Sequence, residues 1–319
     1  RVLPLVGPER VLVVANQAYG QAVRDLLAEL PPENIVLEPE GRNTAAACGL
    51  GAWWVKQRAG GGVMAVLPAD HLISDEESFR ADLRAAGEAA RSTDRLITFG
   101  LAPTRPETGF GYLEKGPQAG ASLGREVFEL AAFKEKPDSA WAQKYLASGK
   151  HLWNSGIFVW EAEAILARIE EQMPALGRGL AELAPHLLTP NQEAALKRLY
   201  PTLPASSIDF GVMEKAAGKH MIEACFDWSD LGSWEAVHQL RPKDSQGNSL
   251  SQAAPDKVLA IDAKNNLIEA GEKQVVLLGV EGLAVVECED ALLIMDRSRS
   301  QEVRRIIEAL KNQGREDLT

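Results

Sequence analysis

Short apolar runs alternate with stretches of helical period through the first 240 residues. Residues 11–15 (Val-Leu-Val-Val-Ala) have strand length, and the stretch 17–30 that follows carries Val23, Leu26, Leu27 and Leu30 at the three-and-four spacing of an amphipathic helix. The pair recurs: 35–37 precedes a predicted helix over 44–58, 63–67 precedes one over 76–91, and 96–99 is a further apolar run. Such alternation predicts an α/β domain, doubly wound on a mostly parallel sheet. Residues 111–113, 127–133 and 156–160 read as additional strands, interleaved with helices over 140–148 and 161–172, and an antiparallel portion is expected there.

The texture changes after Leu240. Residues 241–256 are polar and rich in turn formers (Pro242, Gly247, Asn248, Pro255), which predicts a linker between a domain over 1–240 and a smaller one over 257–319. In the latter, apolar runs at 258–261, 275–278, 283–286 and 291–295 are separated by Asn, Gly and Asp turns, the pattern of a small all-β unit. A closing helix over 301–312 is expected to show Val303, Ile306, Ile307 and Leu310 on one face.

Composition narrows the function. The 319 residues carry 34 Lys and Arg against 45 Asp and Glu, a net charge of −11, so no general attraction to nucleic acid or anionic membrane is expected. No apolar run approaches the roughly 18 residues of a membrane span. Cys48, Cys225 and Cys288 lie far apart without a CxxC or a nearby histidine pair, which encodes neither a disulfide framework nor a zinc site and fits a cytoplasmic protein. Gly49-Leu50-Gly51 and Gly109-Phe110-Gly111 each lack the third glycine of GxGxxG, and neither a GxxxxGK[ST] loop nor a GxSxG elbow is present.

Ligands of an open parallel sheet bind beyond the carboxyl ends of its strands, so polar residues just after apolar runs are the candidates. Asp70 ends the run Leu67-Pro68-Ala69 where a carboxylate could hold Mg²⁺ with substrate phosphate oxygens, or could simply turn the chain. Glu38 to Thr44 follows another strand and ends in Asn43-Thr44, either a plain helix cap or an N-terminus open to an anion or a base edge. Glu135 and Lys136 sit side by side after a strand; extended backbone would point them to opposite faces, and both reach one ligand only if the chain bends. Asn154, in Trp-Asn-Ser-Gly, offers donors and an acceptor suited to sugar hydroxyls but alone reads as a turn. Asp227 to Trp234 holds two carboxylates near the boundary, a source for a second metal ligand.

The order of the segments says more than any one of them. Glu38-Pro39-Glu40-Gly41-Arg42-Asn43-Thr44, Leu67 to His71, Pro106 to Tyr112, Phe133 to Pro137, Trp153 to Gly156, Ser207-Ile208-Asp209-Phe210-Gly211-Val212-Met213-Glu214-Lys215 and Trp228 to Ser233 together closely resemble the mannose-1-phosphate guanylyltransferase family, the GDP-mannose pyrophosphorylases. The resemblance runs the length of the chain. It implies a nucleotidyltransferase (Rossmann-like) sheet and, for the β unit, a short left-handed β-helix. It further implies Mg²⁺ on Asp70 and Asp230, the nucleotide against Glu38, Arg42, Asn43, Thr44 and Asp70, mannose against Gly111, Glu135, Asn154 and Asp209, and the sugar phosphate on Lys136. The reaction so implied joins GTP and mannose 1-phosphate into GDP-mannose and pyrophosphate, with Lys136, Asp70 and Asp230 as catalytic groups and a homodimer compatible with the family. The alternatives are a relative using another base or sugar, or a non-catalytic homologue that binds a nucleotide sugar.

Members of that family open with a strand and a Gly-rich loop of the form GGxGxRLWPLS that holds the triphosphate, and this string is absent from the sequence. The resemblance therefore implies that the chain starts inside the following helix, the intact later motifs favouring omission of the loop over degeneration. On that basis the 319 residues alone are expected to bind GTP or GDP-mannose poorly and to show no transfer, while the β unit still folds. The tail 314–318 resembles the point at which some relatives continue into a phosphomannose isomerase domain.

Overall fold

In the computed structural model, which describes residues 1–91, 95–251 and 255–318, the apolar runs and helical stretches fall into a regular series. It runs β1 (Val13–Asn16), α1 (Gly20–Leu26), β2 (Ile35–Glu38), α2 (Asn43–Ala59), β3 (Val63–Val66), α3 (Glu76–Arg91), β4 (Leu96–Leu101), β5 (Tyr112–Ser122) and β6 (Arg125–Lys134). There follow α4 (Ser139–Ser148), β7 (His151–Glu161), α5 (Ala162–Gln172), α6 (Pro174–Leu183), α7 (Gln192–Leu199), β8 (Lys219–Glu223) and α8 (Trp234–Leu240). The last part holds β9 (Val258–Ile261), β10 (Leu267–Glu269), β11 (Val275–Leu278), β12 (Leu283–Glu287), β13 (Leu292–Asp296) and α9 (Val303–Asn312). Helix α1 stops at Leu26, well short of Leu30, because the turn that follows already leaves helical geometry at Leu27 (φ −120°, ψ 38°).

Two compact units result: Arg1–Ala69 with Ile73–Trp228, and Asp70–Leu72 with Ser229–Thr319. The α/β expectation holds for the first. Its main sheet runs β3-β7-β4-β8-β6-β5, while β1 and β2 form a separate parallel pair. The antiparallel share is larger than the alternation of elements suggests: β7 returns antiparallel between β3 and β4, β5 and β6 form a hairpin, and β4 with β8 is the parallel pair of that sheet. Alternation along a chain shows where strands are and leaves open the gap each one enters. The hairpin closes on Leu123 and Gly124 at φ 45° and 80°, the left-handed pair that a two-residue turn between twisted strands requires.

Both faces of this sheet are covered, as side chains of β7 show by their period of two. Phe158 and Trp160 join Leu50, Trp54, Ile165 and Leu180 under α2, α5 and α6, whereas Ile157 and Val159 join Phe79, Leu83 and Phe99 under α3. Helix α2 is rich in small residues, and Gly51 leaves space that Met64 of β3 and Leu12 beside β1 approach, at 3.4 and 3.7 Å from where a Cβ would sit. One helix thus lies over strands of both sheets.

The second unit is a parallel coil. Val258 pairs with Val275 and Leu267 with Ala284, at the same offset, and β13 closes antiparallel on β12. Residues 244–251, expected within a linker, are built into this coil instead: Asn248, Ser249 and Ser251 are buried, and Ser249 and Leu267 form a parallel bridge. Turn formers mark coil corners as well as linkers, which is why composition misread them; residues 252–254 of the expected linker lie outside the described residues. Asn248 donates to Asp244 Oδ2 and the Ala263 carbonyl, each at 2.9 Å, and its Oδ1 accepts from the backbone and side-chain N–H groups of Asn266, each at 3.0 Å. Asn266 in turn donates to the Val280 carbonyl and accepts from Leu283 N. The amphipathic face expected on α9 is present in sequence, yet Ile306 and Ile307 remain exposed. No helix among the described residues is long and apolar enough to cross a membrane.

Replacing Asn248 by Ala strands the Ala263 carbonyl and the Asn266 amides inside the coil, at about 1–3 kcal/mol for each buried group left unpaired. Amide hydrogen exchange at Asn266 is expected to accelerate sharply in that variant while β4 and β7 keep their protection; unchanged protection at Asn266 would refute the role given to this pair.

Candidate active site

The site is assembled where β6, β7 and the segment after α7 meet in the first unit. Strand β6 ends at Lys134, and the next two residues turn sharply because Lys136 adopts φ 44°, a left-handed conformation that costs a non-glycine residue about 1–3 kcal/mol. The bend demanded by the sequence is therefore there. Glu135 and Lys136 line one cavity of about 550 Å³, with Lys134, Trp141, Tyr145 and Phe210 around it. Glu135 is buried; its backbone N–H donates to Glu214 Oε1 at 2.9 Å and its Oε1 lies 3.3 Å from Lys136 Nζ. Glu214 also faces Lys134 at 3.5 Å, so one carboxylate steadies the entry to the turn.

Three further predicted residues converge on Glu135. The Gly111 carbonyl accepts from Asn154 N at 2.8 Å, and a Cβ at Gly111 would stand 2.5 Å from Glu135 Oε2 and 3.2 Å from Asn154 Cβ. Only glycine leaves that approach open. Asn154 Nδ2 donates to Asp209 Oδ1 at 3.0 Å. Asp209 heads a π-helical turn, Asp209–Met213, of the kind that often marks a functional site. Asn154 itself lies inside β7, which starts at His151, and not in the turn ahead of a strand that its motif suggested.

Burial raises the Glu135 carboxyl to about 7; the neighbouring Asp209 charge adds to the shift and Lys136 opposes it. Asp209 is raised as well, mainly by removal from water, with Lys136 and the Asn154 amide acting against that. A cavity lined by Lys134, Lys136, Glu135 and two half-exposed rings, Trp141 and Phe210, has the means to hold an anion joined to a polyhydroxyl group.

The residues expected at the nucleotide form a separate constellation. Arg42 donates to the Pro201 carbonyl and pairs with Glu40 at 3.1 Å, while Tyr200 donates to Glu38. Asn43, at φ 63°, accepts from Thr44 N; Thr44 Oγ1 accepts from Ile208 N and Ala45 N donates to Ser206 O. These residues thus tie the start of α2 to the loop that carries Asp209, a task their motif did not suggest, and Asn43 and Thr44 stay exposed at the surface of that tie. Asp70 and Asp230 belong to the second unit, where Leu72 and Ser229 form an antiparallel bridge that lays their two segments side by side. Asp70 is exposed, and Asp230 Oδ1 accepts from Gly232 N at 3.1 Å. Sequence reasoning did not single out Lys134, Trp141, Tyr145, Phe210 or Glu214 as site residues; the Asp138 N-cap of α4, which accepts from Trp141 N, was the available sign that Trp141 stands beside the 135–137 turn.

Because the folded-state value of Glu135 lies above its unfolded one, the group's contribution to stability is complete below pH 4.5 and is lost as pH rises through about 7. Glu135→Gln is expected to remove up to about 3 kcal/mol of that pH dependence. Melting temperatures of both proteins between pH 4 and 8 measure it, and parallel curves would contradict the shift.

A family model described as nucleotidyl transferase matches residues 2–247, and one described as MannoseP isomerase/GMP-like beta-helix domain matches residues 256–310. The chain is 36% identical, over 97% of its length, to the xanthan biosynthesis protein XanB of Xanthomonas campestris pv. campestris strain B100. It is also 36% identical, over 96% of its length, to a mannose-1-phosphate guanylyltransferase of Klebsiella pneumoniae. It spans 64% of the length of each of these curated relatives. Among solved structures it is similar to one titled mannose-1-phosphate geranyltransferase, from Thermus thermophilus, with a TM-score of 0.83 and 32% identity over 97% of this chain and 87% of that one. Compactness divides the chain at residue 228, slightly ahead of the boundary between the two family models, since α8 packs with the β coil. With its α/β fold and a match over residues 2–247, the chain belongs to the nucleotidyl transferase family and carries a C-terminal β-helix-like domain.

Proposed function

We propose that the protein transfers GMP from GTP to mannose 1-phosphate, releasing pyrophosphate and forming GDP-mannose in the cytoplasm. The observation that carries this reading is the cavity in which Lys134 and Lys136 stand beside Glu135, next to Gly111, Asn154 and Asp209. Lysine ammonium groups suit a sugar phosphate, and a ring of acceptors with one amide suits the sugar's hydroxyls. Similarity to proteins named for mannose 1-phosphate supports the choice of sugar.

A sugar phosphate oxygen attacking the α-phosphorus of GTP needs alignment and charge neutralisation more than a protein nucleophile. In this reading Lys136 leaves Glu135 for the incoming phosphate, Glu135 and Asp209 fix the sugar's orientation, and Asn43 and Thr44 face the base. Asp70 and Asp230, two hard oxygen donors on adjacent segments, fit Mg²⁺, which takes one or two carboxylates together with phosphate oxygens. When bound there it would neutralise charge on the phosphates.

Pyrophosphate release by protein expressed from the gene's full reading frame tests the reading: GTP with mannose 1-phosphate is expected to be preferred, and a preference for UTP with glucose 1-phosphate would overturn it. Asp70→Asn and Asp230→Asn are each expected to lower turnover by at least about 100-fold. Lys136→Ala is expected mainly to raise KM for the sugar phosphate, since a charge on a group present in both ground and transition states gives largely uniform binding. A fall in kcat with KM unchanged would move Lys136 to the reacting phosphate.

A further inference from the structure

Strand β7 does not pair evenly with β4. Thr98 stands opposite Phe158, and two residues on, Gly100 stands opposite Asn154, so two residues of β4 are matched by four of β7. The surplus is a bulge over Asn154, Ser155, Gly156 and Ile157. Gly156 takes φ 69° inside it, and Ser155 Oγ accepts from Ile157 N at 3.1 Å. Bulges re-aim side chains next to active sites, and this one directs Asn154 to Asp209.

One side chain reaches both limbs of the bulge. Thr98, on β4 and fully buried, places its Oγ1 3.0 Å from Asn154 Oδ1 and 3.0 Å from the Ile157 carbonyl. The partners of Asn154 then leave its amide a single sensible orientation. The Thr98 hydroxyl supplies a proton toward Oδ1, and the Asp209 carboxylate, an acceptor when ionised, requires Nδ2.

We propose that Thr98 is a positioning residue of the sugar subsite: its hydroxyl clamps the β7 bulge and sets the Asn154 amide so that Asn154 holds Asp209 toward the ligand. The proposal rests on the sugar-phosphate reading of the cavity. Threonine suits the position because its methyl packs in the sheet as a valine would, while its hydroxyl has one proton to share between Asn154 Oδ1 and the Ile157 carbonyl, each 3.0 Å away. With valine at 98, Asn154 Oδ1 loses its donor, and the amide must turn or the bulge must open. Raised Asp209 and Glu135 carboxyls make the alignment consequential, since the Asn154 amide is one of the groups that hold Asp209 ionised.

The experiment compares wild type with Thr98→Val, Thr98→Ala and Thr98→Ser in the full-length enzyme, by crystal structure and by titration with mannose 1-phosphate and with GTP. Valine and alanine are expected to release Asn154 from Asp209 and to weaken mannose 1-phosphate by about tenfold, the scale of one lost hydrogen bond to a charged network. Affinity for GTP is expected to stay unchanged, and serine is expected to restore both the geometry and the sugar affinity. Alanine keeps the test open if valine crowds the Ile157 carbonyl and fails to fold. An Asn154 that still donates to Asp209 without the Thr98 hydroxyl would overturn the proposal, as would equal loss of GTP and sugar binding. Wild type that binds no mannose 1-phosphate, with Asn154 displaced in the variants, would instead overturn the sugar reading and with it the role given to Thr98.

Discussion

Everything about the site depends on keeping the Glu135 and Asp209 carboxylates close together and largely out of water. Burial raises the cost of ionising both, and the Asp209 charge adds to it at Glu135. The structure offsets it locally with Lys136, on a left-handed turn against Glu135, and with the Asn154 amide on Asp209, while Glu214 anchors the turn through the Glu135 N–H although its charge adds to the cost. None of these is an accident of the fold, since each needs a departure from regular backbone. The departures are a positive φ at Lys136, a bulge in β7 and a π-helical turn at Asp209. Strain of this kind persists only where surrounding packing over-determines it, and the doubly covered sheet supplies that packing.

The same arrangement explains why residues that look independent in sequence act together. Thr44 binds Ile208 N and Ala45 binds Ser206 O, so the start of α2 and the loop of Asp209 form one body within the first unit. Arg42, through the Pro201 carbonyl, and Tyr200, through Glu38, add two further ties between these parts of the chain. One side-chain and one backbone hydrogen bond therefore join the segment of Asn43 to the segment of Asp209.

Much of this was legible from residues alone, and the illegible part has a common cause. Period-two and three-and-four spacing located α2, α3, α4 and α5 nearly to the residue; α2, α3 and α5 each bury several apolar residues, while α4, which buries Ala142, is bounded instead by its Asp138 cap and by Gly149. The partner of a strand is a different matter: nothing in the apolar run of β7 says that it enters antiparallel between β3 and β4. Strand β8, Lys-His-Met-Ile-Glu, escaped notice because only its central Met and Ile are buried, and the corner residues Asn248 and Ser249 passed for linker. At the site, ordered motifs picked out Gly111, Glu135, Asn154 and Asp209, which the structure brings together. Thr98 lies outside every motif and Glu214 lies within the Ser207 to Lys215 string without a role of its own there; what each does depends on contacts between segments distant in sequence, which sequence spacing does not encode.

The central claim is that this cavity receives a sugar phosphate whose phosphate meets the lysines and whose sugar meets Glu135, Asn154 and Asp209. Titration of the isotopically labelled protein with mannose 1-phosphate, glucose 1-phosphate and inorganic phosphate, followed by NMR at the Trp141 indole and the Asn154 side-chain amide, reads this directly. The account predicts that mannose 1-phosphate shifts both signals at lower concentration than glucose 1-phosphate, while inorganic phosphate leaves the Asn154 amide unmoved. Indistinguishable shifts from all three, or none from mannose 1-phosphate, would contradict it.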